Sequence, residues 1–247
     1  MNMKKSQVVV LGSTGSIGVN TLDVIDRNRD GFEVFALTAS TSVDAMLKQC
    51  VRYQPKYAVM ASEVHGRALL QSCLAEGLST QVLWGNSSLE MVASHETVDI
   101  VMAAIVGAAG LAPCLSAAKS GKRLLLANKE ALVVGGQLFM DTVANGGATL
   151  LPIDSEHSAV FQSLPADPRD WASSIDKIIL TASGGPFRSR DPSTLRHVTP
   201  EEACAHPNWV MGRKISVDSA TMMNKALEVI EAKFLFGVES SQIQVVI

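Results

Sequence analysis

Short apolar runs alternate with longer amphipathic stretches along the first two thirds of the chain. Residues 7–11, 33–37, 57–60, 81–84, 99–105 and 123–126 are dense in Val, Leu, Ile and Ala. Runs that are apolar on both sides of the pleat predict strands buried on both faces. Between them, residues 43–52, 64–75, 88–94 and 111–120 read as helical segments. Regular alternation of this kind predicts a doubly wound parallel sheet. The first strand runs straight into Gly12-Ser13-Thr14-Gly15-Ser16-Ile17-Gly18, after which Val19, Leu22 and Ile25 recur at helical spacing. Strand, glycine loop and helix form the unit that cradles a dinucleotide pyrophosphate. Glycine lets the backbone approach, and the helix start offers unpaired N–H groups and a positive dipole. The spacing is GxxGxxG, a relative of GxGxxG, and the strand–helix context gives it weight.

Such folds place an acid about 20 residues past the glycines when the cofactor is NAD. Thr38, Ala39, Ser40, Thr41 and Ser42 stand there, with no acid before Asp44. The missing acid favours NADP. Because no Arg or Lys lies there either, hydroxyls are expected to meet a 2'-phosphate. Asn128, Lys129 and Glu130 follow the last strand of this half. The carboxyl end of a strand is where open α/β sheets hold their sites, so this cluster is a candidate beside the plainer reading of a solvated helix start.

The pattern changes near Gly146, which predicts a first domain over residues 1–150 and a second over 151–247. Leu151-Pro152-Ile153-Asp154-Ser155-Glu156-His157 ends an apolar run in two carboxylates. Two readings stay open. In extended backbone Asp154 and Glu156 point to one side and suit a hard divalent cation. Alternatively, Asp154 and Ser155 cap a helix with Glu156 in its first turn. Residues 177–181 read as a strand leading to Ser183-Gly184-Gly185, either a turn whose N–H groups and hydroxyl suit a phosphate or a simple turn. Residues 188–199 read as loop, and the His206-to-Gly212 stretch as a loop whose Trp209 serves as a lid or anchors to the core. Residues 219–234 are the most helix-like, with an apolar stripe of Met223, Leu227, Ile230 and Phe234. Asn224, Glu228 and Glu231 share another face: either a solvated face, or a set in which Glu228 completes a metal site and Ser219, Asn224 and Lys225 grip a phosphate. Residues 242–247 read as a strand.

Composition narrows the classes. Hydrophobic residues make up 47% and the net charge is -3, with no basic tract to mark a nucleic-acid surface. Cys50, Cys73, Cys114 and Cys204 are widely spaced, so reduced thiols in a cytoplasmic protein are expected rather than a zinc or redox motif. The basic N-terminal stretch leads into too short an apolar run for a signal peptide. Residues 100–118 carry no charge over roughly the length of a membrane span, but Gly107, Gly110 and Pro113 interrupt them, predicting strand, turn and helix instead.

The blocks LGSTGSIG (11–18), AAIVGAAGL (103–111), LLANKEAL (125–132), LPIDSEHSAVFQSL (151–164), SGGPFR (183–188) and HPNWVMGRKISVDSATMMNKALEVIEA (206–232) together resemble the 1-deoxy-D-xylulose 5-phosphate reductoisomerase family. The resemblance implies a Rossmann-like α/β domain followed by an α+β catalytic domain. It implies NADPH as cofactor and Mg2+, Mn2+ or Co2+ held by Asp154, Glu156 and Glu228. Ser183, Ser219, Asn224 and Lys225 would bind the substrate phosphate, and Lys129, Ser155 and His206 would contact the substrate beside the metal. Thr14, Gly15, Ser16, Ile17, Asn128, Glu130 and Gly212 would line the NADPH site, and Trp209 would sit on a closing flap. The implied reaction isomerises 1-deoxy-D-xylulose 5-phosphate and reduces the product to 2-C-methyl-D-erythritol 4-phosphate. A homodimer with a sugar-phosphate substrate and no nucleic-acid or membrane partner is implied too. Family members continue beyond the position of Ile247, so a partial chain is expected. Some members carry a basic residue where Ser40, Thr41 and Ser42 stand.

Two rival functions make different demands. A semialdehyde dehydrogenase would need a nucleophilic cysteine beside a base, for which Cys204 near His206 is the one pair. A redox-sensing NADPH-binding module would be indifferent to metal removal. Both leave the carboxylates and the Ser-Asn-Lys set unexplained.

Overall fold

The computed structural model describes residues 4–247; the first three residues of the basic N-terminal stretch lie outside them. The chain divides into two compact units, one ending at Asp154 and the other spanning Ser155–Ile247.

The first unit alternates strand and helix: β1 (Ser6–Leu11), α1 (Ser16–Arg27), β2 (Phe32–Ala39), α2 (Val43–Tyr53), β3 (Tyr57–Met60), α3 (Glu63–Ala75), β4 (Gln81–Trp84), α4 (Asn86–Ser94), β5 (Ile100–Ala103), α5 (Leu111–Lys119), β6 (Arg123–Leu126), α6 (Lys129–Gly146) and β7 (Thr149–Pro152). The strands form one seven-stranded sheet in the order β4-β3-β2-β1-β5-β6-β7, with every pairing parallel. This is the doubly wound sheet that the alternation predicts. Burial on both faces explains the unbroken apolar runs: Val8, Val9, Val10 and Leu11 of β1 are all buried, as are all four residues of β5. The strand order reverses between β1 and β5, which opens a crevice at their carboxyl ends. The uncharged stretch from Ile100 resolves into β5, a 3-10 turn at Ala108–Gly110 and α5. Among the described residues no helix is long and apolar enough to cross a membrane.

The second unit contains α7 (Ser155–Ser163), α8 (Trp171–Ser174), β8 (Ile178–Thr181), α9 (Pro200–Cys204), α10 (Arg213–Ala220), α11 (Met223–Phe236) and β9 (Ile243–Val246). Strands β8 and β9 pair in parallel. Ile175, Ile178, Leu180, Ala232, Phe236 and Val238 form the core, and the Phe161 and Trp171 rings meet edge to face against it.

Four expectations change here. Glu156 lies in the first turn of α7, so the extended reading of the Asp154–Glu156 pair gives way to the helical one. The stretch 219–234 is two helices, because Met222 adopts a left-handed conformation with φ 62° between them. The apolar stripe of α11 is only partly inward: Leu227 and Phe234 are half-buried, and the helix also buries charge. Met223 and Ile230 are exposed at 52% and 40%, whereas Lys225, Glu228 and Glu231 are buried. The loop expected over 188–199 contains a 3-10 turn, Pro192–His197, capped by Asp191.

Candidate active site

In the first unit the glycine loop sits at the crevice. Gly12 has φ 82°, and a Cβ there would lie 2.7 Å from the Ala104 carbonyl oxygen beyond β5. At Gly18 a Cβ would lie 2.3 Å from the Gly12 carbonyl oxygen, so α1 can start against its own loop only with glycine at that position. Ser13 and Gly18 are buried, while Gly15, Ser16 and Ile17 face outward at the α1 N-terminus. Gly18→Ala is therefore expected to force the loop off the helix, destabilising this unit by about 1–3 kcal/mol in denaturant titration and weakening nucleotide binding together with stability.

Asn128 caps α6 by accepting from the Ala131 N–H at 2.9 Å, and its amide donates to the Gly107 carbonyl at 3.0 Å and to the Ile105 carbonyl. It ties the loop after β5 to the loop after β6. A Cβ at Gly110 would collide with that amide, which explains the glycine. Lys129 follows in the first turn of α6, is buried, and forms an ion pair with Asp154 at 2.5 Å. Asp154 comes just after β7, so a cation and an anion from neighbouring strand ends meet at the carboxyl edge of the sheet. Glu130 is half-buried in the same turn.

In the second unit, α7 and α11 bring charges together below the surface. The Lys225 ammonium donates to Glu156 at 2.8 Å and to Glu228, and Asn224 donates to the other Glu228 oxygen at 2.5 Å. Ser155 donates to the second oxygen of Glu156 at 2.7 Å. Burial acts to lower the Lys225 pKa, but hydrogen bonds and charge from Glu156 and Glu228 outweigh it and hold the group above the ordinary lysine value. Two carboxylates from different helices thus converge on one cation. Oxygen donors so arranged also suit a hard divalent ion.

Beside them lies a pair that the sequence names without giving it a role. His157 is fully buried, its Nε2 is 2.8 Å from the Glu228 carbonyl oxygen, and its Nδ1 is 3.6 Å from the Glu231 carboxylate. The only sequence signal for it was the acidic recurrence 228, 231 on one helix face.

Two further residues expected at the site meet in the loops. The Nδ1 of His206 accepts from the Asn208 and Trp209 N–H groups at 3.2 Å each, which assigns the proton to Nε2. That proton is donated to the Ser183 hydroxyl at 3.0 Å. Ser183 also accepts from the Gly185 N–H, leaving its own proton to give. Gly184 and Gly185 have φ of 78° and 69°, and a Cβ on Gly185 would lie 2.5 Å from the Ser219 carbonyl oxygen. The Ser-Gly-Gly turn is therefore seated on the end of α10. Gly212 starts α10, and Trp209 is 63% exposed on the loop before it. Cys204 approaches the Arg213 carbonyl rather than an imidazole, and His206 pairs with Ser183, so the cysteine–base arrangement of a semialdehyde dehydrogenase is not formed. Cys50, Cys73, Cys114 and Cys204 are all free thiols; burial pushes Cys50 and Cys114 up to about 12.

Comparison with known proteins bears on the whole arrangement. Residues 8–136 match the family model of 1-deoxy-D-xylulose 5-phosphate reductoisomerase, and residues 150–236 match the model of its C-terminal domain. The reductoisomerase of Nitrosomonas eutropha is 59% identical over 97% of this chain and 59% of its own length. That of Cupriavidus pinatubonensis is 56% identical over 98% of the chain and 61% of its own. A crystal structure of a DOX-P reductoisomerase with NADPH, fosmidomycin and magnesium superposes with a TM-score of 0.94 at 45% identity, covering 97% of this chain and 60% of that one. The Zymomonas mobilis enzyme in complex with NADPH gives 0.87 at 44%, covering 98% of this chain and 61% of that one. The chain thus spans about three fifths of the length of these relatives. With both family models matched, and with the glycine loop and the Glu156–Lys225–Glu228 cluster formed in the units they cover, the chain belongs to the 1-deoxy-D-xylulose 5-phosphate reductoisomerase family.

Proposed function

We propose that this polypeptide carries the NADPH- and metal-dependent conversion of 1-deoxy-D-xylulose 5-phosphate to 2-C-methyl-D-erythritol 4-phosphate, a step of isoprenoid biosynthesis. Family membership supports the reaction, and the observation that carries it to particular residues is the convergence of Glu156 and Glu228 on the Lys225 ammonium. A site that already gathers two carboxylates around one cation fits a divalent ion. Asp154, two residues before Glu156, is the third ligand in this reading. A divalent ion there supplies Lewis acidity toward the substrate's carbonyl and hydroxyl oxygens. NADPH supplies the hydride.

The chain's own residues do the rest. Glu156 and Glu228 hold charge where the substrate's oxygens must be oriented. Lys129 lies next to Asp154, where an ammonium can steady negative charge developing on the substrate. Ser155 and His206 contact the sugar, with His206 keeping its proton on Nε2. Ser183, Ser219, Asn224 and Lys225 bind the phosphate through hydroxyl, amide and ammonium donors, and the Trp209 loop closes over the substrate to exclude water. Thr14, Gly15, Ser16 and Ile17 take the cofactor's phosphates at the α1 N-terminus, with Asn128, Glu130 and Gly212 shaping the remainder. Hydroxyls of Ser40, Thr41 and Ser42 meet the 2'-phosphate. In this reading the protein is cytoplasmic and works as a homodimer.

Isothermal titration of 1-deoxy-D-xylulose 5-phosphate into the polypeptide with Mn2+ and with chelator tests the substrate assignment. Binding that weakens at least about tenfold on chelation is expected, because both the ion and the phosphate donors hold the ligand. Equal affinity with and without metal would sink the assignment.

A further inference from the structure

One residue of the glycine loop faces away from the cofactor side. Ser13 is fully buried, between Gly12 and the outward-facing Gly15 and Ser16. Each of its polar groups is engaged. Its N–H donates to the Thr38 carbonyl at 2.8 Å, and the Thr38 hydroxyl accepts from the Gly12 N–H at 2.9 Å. Its hydroxyl lies 3.2 Å from the Thr38 carbonyl oxygen, but its shorter bond, and the only side-chain bond to its carbonyl among the described residues, come from one side chain of another element, Gln49 of α2. The Gln49 Oε1 accepts from the Ser13 hydroxyl at 2.6 Å, and the Gln49 Nε2 donates to the Ser13 carbonyl oxygen at 2.9 Å. A primary amide offers an acceptor and a donor side by side; an ionised carboxylate or an ammonium can make only one of the two bonds.

We propose that Gln49 is a positioning residue for the cofactor's pyrophosphate. This rests on the reading of the first unit as an NADPH site. The Ser13 carbonyl and the Thr14 N–H belong to one planar trans peptide group and point in opposite directions. Pinning the carbonyl inward therefore aims the Thr14 N–H outward, toward the α1 N-terminus where the phosphates bind. Without the amide, the carbonyl loses its partner and the peptide plane is free to rotate. The loop then spends only part of its time in the binding form, and apparent affinity falls by that fraction. The effect is confined to ligands with a pyrophosphate, since Gln49 holds Ser13 rather than the Ser40-to-Ser42 segment.

The test is isothermal titration of the full chain with NADPH and, separately, with adenosine 2'-monophosphate, which lacks the pyrophosphate. Gln49→Met keeps length and apolar packing and removes both bonds. Gln49→Glu keeps an acceptor for the Ser13 hydroxyl and loses the donor to its carbonyl. NADPH binding is expected to weaken about tenfold in Gln49→Met, as the loss of about two net hydrogen bonds implies, and at least as much in Gln49→Glu, where one bond is lost and a carboxylate oxygen faces the Ser13 carbonyl oxygen. Adenosine 2'-monophosphate affinity should stay within about twofold of wild type in both, while the loss of the buried bonds lowers the thermal midpoint by only a few degrees, leaving the fold intact at the titration temperature. Equal weakening of both ligands would mean that α2 itself has shifted, and would overturn the proposal. So would unchanged NADPH affinity in the two variants, with the NADPH site left standing. Failure of the wild-type chain to bind NADPH would instead overturn the site, and this proposal with it.

Discussion

Glu228→Gln is expected to remove tight Mn2+ binding and metal-dependent turnover while NADPH binding persists. The side chain is 2% exposed, and its two oxygens accept from Asn224 and Lys225. The amide keeps the shape of the carboxylate but offers one acceptor and no charge. A divalent ion bound by hard oxygens depends on ligand charge. Changes to residues that merely orient metal ligands typically cost 10–100-fold in metal affinity, so a change to a ligand is expected to cost at least about 100-fold. Turnover should drop by about 10³-fold or more, which corresponds to roughly 4 kcal/mol of Lewis-acid stabilisation. Mn2+ affinity measured from the free-ion paramagnetic signal, alongside an NADPH titration, separates the outcomes. Wild-type Mn2+ affinity in this variant would remove Glu228 from the metal site; loss of NADPH binding as well would mean general misfolding.

Lys225→Met should produce the largest stability change, and one that metal reverses. The Lys225 side chain is 7% exposed between Glu156 and Glu228, whose side chains are 26% and 2% exposed. Deleting one member of a buried pair leaves the other charge uncompensated, at a cost of roughly 3–5 kcal/mol. Here two carboxylates lose their shared cation. The metal-free variant is expected to melt about 10 °C lower than wild type, given a few degrees per kcal/mol for a protein of this size. Saturating Mn2+ should recover most of the difference, because it supplies positive charge to the same carboxylates and binds only the folded state. Phosphate affinity should stay low even with Mn2+, since the ammonium donor is gone. A melting point that drops without recovery on adding Mn2+ would show that Lys225 packs the two helices together and that the ion binds elsewhere.

The first unit was legible because its chemistry is local. The glycine loop, its strand and its helix are contiguous, and apolar runs on both faces of β1 and β5 announce a parallel sheet. The charged cluster of the second unit and Asp154 before it were legible as residue types but not as geometry. Asp154 and Glu156 read as a helix start ahead of a strand pair, and Glu156 does lie in the first turn of α7. Periodicity misled on α11: Met223 and Ile230 look like a core stripe, yet the helix turns Lys225, Glu228 and Glu231 inward. Inferring a buried face from apolar spacing assumes that burial follows apolarity, and that fails where a helix buries charges paired across to another element. The left-handed Met222 that separates α10 from α11 carries no glycine to signal it. Pairings across long separations, Lys129 with Asp154, His157 with Glu231 and Gln49 with Ser13, follow from topology and have no local signature.

The most direct measurement is NADPH oxidation by the 247-residue polypeptide in the presence of 1-deoxy-D-xylulose 5-phosphate, followed with Mn2+, then chelator, then Mn2+ restored. Oxidation that depends on the sugar phosphate, stops on chelation and resumes with the ion is the predicted result. Sugar-phosphate-dependent oxidation that is indifferent to chelation, or none at all with NADPH and Mn2+ both bound, would contradict the account.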